Sequence, residues 1–448
     1  MKILLIGNGA REHAIAEAIS RSQKNPEIIT YAKAKNPGIF ALSSEYEIGD
    51  LMDFEHLKKF AANKNIDFAV VGPDDPIGAG AVDALEEIGI KSIAPKKSLA
   101  RLEASKSFTR DLLSKYNIDG NPKFRVFHLS AMDDGAEDAV KEYIRNFMNE
   151  VDGQFVVKAD GLRGGKGVKV VGDHLKGIDD GIEYAMECLR EDEHAVVEEK
   201  FIGQEFSLMS FVDGKTVIDM PSVQDHKRAF DGDKGPNTGG MGTYSYPGCL
   251  PFLTQKDLDD AHNISVKTMK ALEEECGEPF KGIMYGGFIV TKSGVKLIEY
   301  NVRFGDPEAM NVLPILETDF VDICLAIINQ KLSEMDIKFS KKAVVCKYAV
   351  PEGYPDNPVK GEKIEIGDMP RGAKIYYASV DEKDGELYLS SSRAVAVVGI
   401  ADDIVSAEKI AEDAVCQIKG PVFHRRDIGT AELIGERVEM VRELVSGI

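Results

Sequence analysis

Residues 2–13 read Lys2-Ile3-Leu4-Leu5-Ile6-Gly7-Asn8-Gly9-Ala10-Arg11-Glu12-His13. A short apolar strand passes through two glycines into a segment with helical periodicity. This succession is typical of the first βα unit of a parallel sheet. The stretch therefore predicts an α/β domain at the start of the chain.

The same rhythm continues through the first hundred residues. Apolar runs predict further strands at 28–31, 68–71 and 91–94, and helical periodicity appears at 11–22, 54–64 and 77–88. Strands that alternate with helices form parallel sheets through right-handed crossovers. We therefore expect a doubly wound, Rossmann-like domain over residues 1–105.

The first glycine turn does not fit a nicotinamide site. Glu12 occupies the position of the third glycine, and Thr30-Tyr31-Ala32 offers no acidic residue for a ribose. Gly9 and Arg11 are instead candidates for a mononucleotide or sugar phosphate, with a purely structural turn as the alternative. The turn at 71–76 is equally consistent with a ligand site and with the start of a capped helix.

Composition limits the classes of function. With 448 residues, 43% apolar and 29% charged, the chain is long enough for three or four folded domains. The net charge of −20 argues against nucleic acid or an anionic membrane as a partner. Six scattered cysteines without a C-x-x-C pair favour reduced thiols over disulfides or zinc, and no signal peptide is apparent. A cytoplasmic location is expected.

The rest of the chain is expected to form α/β and α+β domains. A helix over 95–116 carries Lys106, and a final domain combines strands at 343–349, 374–380 and 394–399 with a helix at 402–418. The predicted divisions are a lid at 121–195, a core formed by 106–120 and 196–328, and a small C-terminal α+β domain at 329–448.

Residues 155–168 place Lys158 at a strand end, followed by a loop rich in glycine that includes Gly161, Gly164 and Gly165. Glycines let main-chain amides approach phosphate oxygens, and Lys158 adds a positive charge. The Walker pattern is absent, and the loop joins two predicted strands. We interpret it as a nucleotide-phosphate loop, with a flexible structural loop as the alternative.

Two later stretches offer further ligand contacts. Residues 196–205 pass from a predicted strand into a polar connection. Backbone groups there can hydrogen-bond an adenine edge, and Glu205 can accept from ribose hydroxyls. The alternative is a cluster of solvated charges without a ligand. Residues 224–242 join a polar, basic run to a loop rich in glycine, and such loops usually touch ligand. A lone His226 is more often structural than catalytic.

Glu299 and Asn301 stand two residues apart, which places both side chains on one face of a strand. One anionic and one neutral oxygen ligand suit a magnesium ion that also binds ATP phosphates. Arg303 can neutralise charge on a transferring phosphoryl group. A buried polar network is the alternative.

In this order the pieces resemble the ATP-grasp ligases, and within them the glycinamide ribonucleotide synthetases of purine biosynthesis. The run Asp225-His226-Lys227-Arg228 and the loop at 235–242 carry the most specific part of the resemblance, which covers essentially the whole chain. The sequence departs from the family near Ser391-Ser392, where two glycines are common.

The resemblance implies that glycine is activated by ATP as glycyl phosphate and joined to 5-phosphoribosylamine, with Mg²⁺ or Mn²⁺ present. It implies a catalytic role for Arg303 and Lys158, and metal binding by Glu299 and Asn301. The implied ATP contacts are Lys106, Lys158, Gly161, Gly164, Gly165, Glu198, Glu199, Lys200, Phe201, Ile202 and Glu205. The implied substrate contacts are Gly9, Arg11, Asp225, Lys227, Arg228, Asn237, Thr238, Gly239 and Gly240.

Two competing functions remain at this point. Another ATP-grasp carboxylate–amine ligase, or a carboxylase that activates bicarbonate, would share Lys158, Glu299 and Asn301 but not the 224–242 stretch. A nucleotide-sensing module without turnover is disfavoured by the intact lysine and metal ligands. Small-molecule substrates are the expected partners, and the expected assembly is a monomer or weak homodimer.

Overall fold

The computed structural model describes residues 1–131, 136–163 and 167–446. The N-terminal domain contains, in chain order, β1 (Lys2–Ile6), α1 (Ala10–Ser20), β2 (Glu27–Ala32), α2 (Pro37–Leu42), β3 (Ser43–Ile48), α3 (Phe54–Ala61), β4 (Phe68–Val71), α4 (Asp74–Ala79), α5 (Ala81–Glu87) and β5 (Ser92–Ile93). Its strands are parallel and follow the order β3-β2-β1-β4-β5. The predicted doubly wound domain is confirmed.

Two predicted helices are broken. The helix expected at 77–88 is interrupted at Gly80, whose φ of +112° is a left-handed conformation that ends α4 before α5 begins. The helix expected at 95–116 consists of α6 (Lys97–Ala104) and α7 (Lys106–Lys115). Ser105 between them is extended, and its Oγ accepts from Phe108 N at 3.1 Å. Lys106 therefore begins α7.

The lid has a core of its own. It contains β6 (Phe124–His128), α8 (Glu137–Glu150), β7 (Phe155–Ala159), β8 (Val168–Val170), α9 (Ile178–Asp192) and β9 (His194–Glu199). The antiparallel sheet has the order β6-β9-β7-β8, so the predicted lid boundary at 195 lies inside a lid strand. The loop from β7 to β8 joins two strands as predicted, but Gly164 and Gly165 lie outside the described residues.

The core follows the lid. Its elements are β10 (Gly203–Val212), β11 (Val217–Asp219), β12 (Val223–Asp225), β13 (Arg228–Phe230), β14 (Lys234–Asn237), β15 (Gly242–Ser245), α10 (Gln255–Cys276), β16 (Gly282–Thr291), β17 (Gly294–Asn301), α11 (Ala309–Val312) and α12 (Phe320–Asn329). Strands β13 and β14 form a separate hairpin.

The C-terminal domain continues the sheet of the core. Its elements are β18 (Ala343–Pro351), β19 (Lys363–Ile366), β20 (Ala373–Tyr377), β21 (Val380–Lys383), β22 (Glu386–Leu389), β23 (Val395–Ala401), α13 (Ile404–Val415), β24 (Ile418–Lys419), β25 (Val422–Phe423) and α14 (Ala431–Ser446). The shared sheet has the order β17-β16-β10-β12-β15-β18-β23-β20. Within the described ranges, no helix has the length and apolar character needed to cross a bilayer.

Candidate functional site

Two clefts adjoin the end of β17 and share Ile298 and Glu299. The first cleft is also lined by Leu102, Glu103, Lys106, Thr109, Arg110 and Tyr300. The second is also lined by Glu205, Phe206, Ser207, Asp225, Lys227, Tyr285, Gly287 and Phe288. The core therefore brings residues from distant parts of the predicted site around one carboxylate, Glu299.

A β-bulge shapes this strand end. Gly287 pairs with Glu299 while Phe288 pairs with Leu297, so Ile298 is the extra residue of β17. The Ile298 carbonyl accepts from Lys158 Nζ at 3.0 Å and from the Arg110 guanidinium at 2.6 Å. The bulge thus holds the side chains of Lys158 and Arg110 beside Glu299.

Lys158 is buried, and its charge is balanced by Glu198. The Lys158 Nζ lies 2.8 Å from Glu198 Oε2, and Arg110 Nε lies 2.6 Å from Glu198 Oε1. Burial lowers the pKa of Lys158. Burial would raise the pKa of Glu198, but Arg110 and Lys158 outweigh it and the pKa falls. The Glu198 side chain, which the resemblance assigns to ATP, holds these two cations.

Glu299 is kept ionised. Burial alone would raise its pKa, but Lys227, Lys106, Lys158 and Arg303 lower it to about 2. The Asn301 Oδ1 accepts from Arg303 at 3.0 Å, and Arg303 also contacts Glu103 at 2.8 Å. The donors at 299 and 301 are a carboxylate and an amide oxygen, a set that fits a hard divalent cation. The alternative polar network is present as well, because Arg303 already binds Asn301.

The predicted adenine segment links the lid to the core. Glu199 and Lys200 donate their backbone N–H groups to the carbonyls of Lys123 and Gln154 at 2.9 Å. Lys200 Nζ donates to the Val171 carbonyl. Phe201 and the exposed Ile202 follow before β10 begins, and Glu205 is an exposed residue of that strand.

Glu12 stabilises the N-terminal glycine turn from within. Its Oε2 accepts from Gly9 N at 2.6 Å, and its Oε1 lies 2.6 Å from Arg11 Nε. Arg11 also donates to the Phe304 carbonyl at 3.3 Å. Glu12, which replaces the third glycine of a nicotinamide motif, therefore acts as a cap, and Arg11 links the turn to the 303–308 stretch.

Asp225, which lines the second cleft, lies close to a second acid, the buried Glu308. Tyr285 donates to Glu308 Oε1 at 2.9 Å, and burial together with Glu308 raises the pKa of Asp225 well above its usual range. Glu299, Glu205 and other acids outweigh burial and raise the pKa of Lys227. Its Nζ lies 3.7 Å from Glu299 Oε1. One wall of this cleft is thus acidic, and a lysine separates it from Glu299.

Arg393 is a site residue that the sequence analysis missed. From the loop between β22 and β23 it donates to the carbonyls of Gly239 at 2.8 Å, Gly240 at 3.0 Å and Asp306 at 3.2 Å. Gly240 has a φ of +109°, and a Cβ there would lie 2.7 Å from Asp225 Oδ1. A single arginine in a Ser-Ser-Arg turn carries no motif, so only the fold reveals this contact.

The β13–β14 hairpin carries the remaining predicted contacts. Arg228 pairs with Asn237 across the hairpin, and its guanidinium donates to the Gly235 carbonyl at 2.8 Å. Thr238 Oγ1 donates to the Lys227 carbonyl at 2.8 Å. Burial lowers the pKa of His226 to about 3, in keeping with a structural role. Arg228 and Thr238 thus shape the hairpin and its exit.

Asp160 anchors the glycine-rich loop to the core. Its carboxylate accepts from both the backbone N and the Oγ of Ser107 at 2.7 Å. Gly161 follows directly, and Lys158 precedes it by two residues. The first turn of α7 therefore positions the start of the predicted phosphate loop beside Lys106.

Family models match most of the chain. The phosphoribosylglycinamide synthetase N domain matches residues 1–103, its ATP-grasp (A) domain matches 104–309, and its C domain matches 344–431. A phosphoribosylamine–glycine ligase of Methanosarcina barkeri is 49% identical over 445 residues, which are 99% of this chain and 100% of the relative.

Solved structures share the fold. A phosphoribosylamine–glycine ligase of Thermotoga maritima has a TM-score of 0.79 at 27% identity, covering 95% of this chain and 100% of that one. The biotin carboxylase domain of a Hydrogenobacter thermophilus 2-oxoglutarate carboxylase has a TM-score of 0.69 at 15% identity, covering 100% and 95%. The second likeness concerns the fold alone. From the family models and the full-length identity, the chain belongs to the phosphoribosylglycinamide synthetase family of ATP-grasp ligases.

Proposed function

We propose that the chain joins glycine to 5-phosphoribosylamine, consuming ATP and releasing ADP and phosphate. The observation that carries the proposal is the pair of clefts around Glu299. One cleft contains the cations Lys106 and Arg110, and the other combines Lys227 with Asp225, whose carboxyl feels the charge of the neighbouring buried Glu308. Such a site suits a nucleotide phosphate on one side and a small zwitterion on the other.

Glycine fits the second cleft by charge. Its ammonium group compensates Asp225 and Glu308, whose buried carboxylates are costly to ionise together. Its carboxylate then points to Lys227 and to the Glu299 end of the cleft. Phe206 and Phe288 are further wall residues of this cleft.

ATP fits the first cleft and the lid. Lys106 lines the first cleft, and Lys158 donates to the carbonyl of Ile298, another of its lining residues. We assign these two lysines to the β- and γ-phosphates, and the backbone of Phe201 and Ile202 to the adenine edge. Asp160 keeps the loop that starts at Gly161 close to α7. We assign Glu299 and Asn301 as ligands of Mg²⁺ or Mn²⁺, which when bound neutralises phosphate charge and aligns the γ-phosphate.

The chemistry has two steps. A glycine carboxylate oxygen attacks the γ-phosphorus, the bond to the β-phosphate oxygen breaks, and ADP leaves. The lone pair of the 5-phosphoribosylamine nitrogen then attacks the glycyl carbon, the bond to phosphate breaks, and the nitrogen loses a proton. Arg303, fixed by Glu103, supplies positive charge beside the acyl phosphate. Alignment of the reactants is expected to contribute much of the rate.

The phosphoribosyl group is assigned to the junction of the N-terminal turn, the 239–240 loop and the C-terminal domain. Gly9 approaches Asp306 there, and Arg11 reaches the Phe304 carbonyl. Arg393 fixes both Gly240 and Asp306. From these contacts we infer that the incoming amine approaches the acyl group from the side opposite the ATP lid.

The direct test measures ADP release with 5-phosphoribosylamine generated in situ. Glycine should support ADP release, whereas other amino acids and bicarbonate should leave it near background. Release with bicarbonate but not with glycine would assign the chain to the carboxylases that share its fold. The absence of glycine-dependent release would refute the proposal.

A variant tests the glycine assignment separately. Asp225→Asn should raise the KM for glycine by about tenfold or more while the KM for ATP stays within about twofold, because a charged partner of the ammonium is lost. Asp219→Asn, in the same domain, is the control. Equal changes in both KM values would assign Asp225 to general folding instead of glycine binding.

Three finer points belong to the same proposal. The metal is Mg²⁺ or Mn²⁺, to be compared in the ADP assay. The assembly is a monomer or weak homodimer, to be measured by sedimentation over a range of concentrations. The location is cytoplasmic, to be determined by fractionation. Each measurement is independent of the others.

A further inference from the structure

Three metal-binding side chains meet in the C-terminal domain, away from the clefts. Glu412 and Cys416 lie one helical turn apart at the end of α13, and His424 follows β25. Their ligand atoms all lie within 4.8 Å of one another. The His424 Nε2 is 3.2 Å from Glu412 Oε1, and the Cys416 Sγ is 3.8 Å from the same oxygen.

These separations are close to the edge lengths of a zinc tetrahedron. Zinc bonds of about 2.0–2.3 Å to nitrogen, oxygen and sulfur place neighbouring ligand atoms roughly 3.3–3.7 Å apart. The two measured distances fall on either side of this range. Small side-chain rotations would therefore complete three corners, and water would supply the fourth.

A buried lysine fixes the orientation of Glu412. Lys347 Nζ donates to Glu412 Oε2 at 2.8 Å, to Glu408 Oε1 at 2.7 Å and to the Arg426 carbonyl at 2.9 Å. His424 Nε2 lies 3.1 Å from Oε2 and 3.2 Å from Oε1, so both oxygens face the histidine. Oε1 is the oxygen that Lys347 leaves free, and it is also the one near Cys416 Sγ. Outer partners of this kind orient the ligands of natural zinc sites.

We propose that Glu412, Cys416 and His424 form a binding site for zinc or a similar borderline-soft divalent cation. A thiolate and an imidazole favour such ions over Mg²⁺, whereas Glu299 and Asn301 offer only oxygen. The absence of paired cysteines in the sequence argued against zinc, but this site contains a single cysteine together with a histidine and a carboxylate. A bound ion would tie α13 to the segment that contains Arg425, a residue that holds the β13–β14 hairpin.

Cobalt provides a direct test. Co²⁺ is added to the reduced, full-length protein in the presence of millimolar Mg²⁺. We expect one equivalent to bind with a thiolate-to-cobalt absorption band, and Zn²⁺ to abolish that band. Cys416→Ser should remove the band, and His424→Ala should weaken binding by about tenfold or more. Cys249→Ser, which alters a cysteine outside the cluster, should behave as wild type.

A second measurement avoids any dependence on the variants. Zn²⁺ should slow alkylation of the exposed Cys416 thiol in the wild-type protein, as followed by peptide mass spectrometry, without slowing alkylation of Cys249. The proposal is overturned by a Co²⁺ spectrum that survives Cys416→Ser. It is also overturned if excess Mg²⁺ displaces the Co²⁺, or if Zn²⁺ leaves Cys416 alkylation unchanged.

Discussion

Glu299 shows how the charge of one residue depends on its surroundings. Four basic side chains influence it: Lys106, Lys158, Lys227 and Arg303. They come from α7, β7, the stretch after β12 and the stretch after β17. Without them a buried carboxylate would tend to be protonated, and a protonated acid is a poor metal ligand. The four basic side chains therefore keep Glu299 ionised, which is the form that binds a divalent metal ion.

We expect Glu299→Gln to lower kcat by about a hundredfold or more, because the phosphoryl-transfer end of the site loses its anionic ligand. Thermal unfolding should stay cooperative by circular dichroism. Glu382→Gln, which removes a carboxylate of similar exposure paired with Lys35, is the control. Wild-type turnover in Glu299→Gln would show that Glu299 is not a ligand of the proposed metal ion.

At this scale the sequence reveals some of the site residues and not others. The pairing of Glu299 with Asn301 was visible because strand side chains alternate with a period of two. Arg110 and Arg393 were not visible, because each is a single basic residue whose partners are distant in sequence. The exclusive pairing of Glu198 with Arg110 and Lys158 was hidden for the same reason.

Among the elements, α7 and the lid are joined through two carboxylates of the lid, Glu198 and Asp160. Asp160→Asn should raise the KM for ATP by about tenfold, the equivalent of about 1.4 kcal/mol, because a charge-assisted contact with Ser107 is replaced by a weaker one. Initial rates over a range of ATP concentrations provide the measurement. Asp179→Asn, on the exposed surface of the lid, should leave this KM unchanged. An unaltered KM in Asp160→Asn would mean that the lid is positioned by other contacts.

The β13–β14 hairpin is held by a segment far away in sequence. Arg425 is fully buried and lies 2.8 Å from Asp233 and 2.6 Å from Asp427. It also donates to the Arg228 carbonyl at 3.1 Å. Removing one member of a buried ion pair leaves the other charges without compensation.

Arg425→Met should therefore lower the free energy of unfolding by about 3 kcal/mol, near the lower end for such pairs because Asp233 keeps some contact with solvent. Urea unfolding measures the change. Arg426→Met alters the neighbouring, exposed arginine and should cost less than about 0.5 kcal/mol. Equal effects at both positions would contradict the assigned role of Arg425.

Helix boundaries were predicted less well than helix positions. Apolar periodicity continues across Gly80 and Ser105, so the sequence suggested two long helices where the chain forms four short ones. The breaks come from a left-handed glycine and from a capping serine. Both residue types also occur inside helices, so the surrounding structure determines which role they take.

Across the whole molecule, α1 packs against β20 of the C-terminal domain. His13 Nδ1 accepts from Tyr377 N at 3.0 Å, and the two rings stack with centroids 5.7 Å apart. Glu17, one turn further along α1, accepts from Lys374 and Tyr376. This interface helps to place the N-terminal turn opposite Arg393.

The interface should make stability depend on pH. Burial lowers the pKa of His13 to about 4, whereas in the unfolded chain it is about 6.5. Between these values the unfolded chain binds more protons, so stability falls as pH decreases. The contribution of His13 is about 2 kcal/mol between pH 7 and pH 5. Urea unfolding at both pH values should show a smaller difference in His13→Gln than in wild type. Identical differences would assign the pH dependence to other groups.

The domain order was predictable from the sequence, but the way the domains share a sheet was not. Alternating strands and helices predicted the N-terminal fold, and the family resemblance predicted a lid and a core. The pairing of β15 with β18 joins strands separated by α10, β16, β17 and two further helices. No local pattern encodes such a distant partner, because pairing depends on edges that exist only after the rest has folded.

That pairing has a consequence during synthesis. Until β18 leaves the ribosome, β15 presents an open strand edge, which is a template for pairing with other chains. Helix α14, which packs against β10 and β16, is synthesised after β18. The sheet that contains β10 and β16 is therefore covered by this helix only after β18 has emerged. A gene divided between the core and the C-terminal domain would thus be expected to yield two aggregation-prone fragments. From the shared sheet we expect the ATP-binding half and the domain that follows it to fold as one unit, so a shortened nucleotide-binding fragment should not be stable by itself.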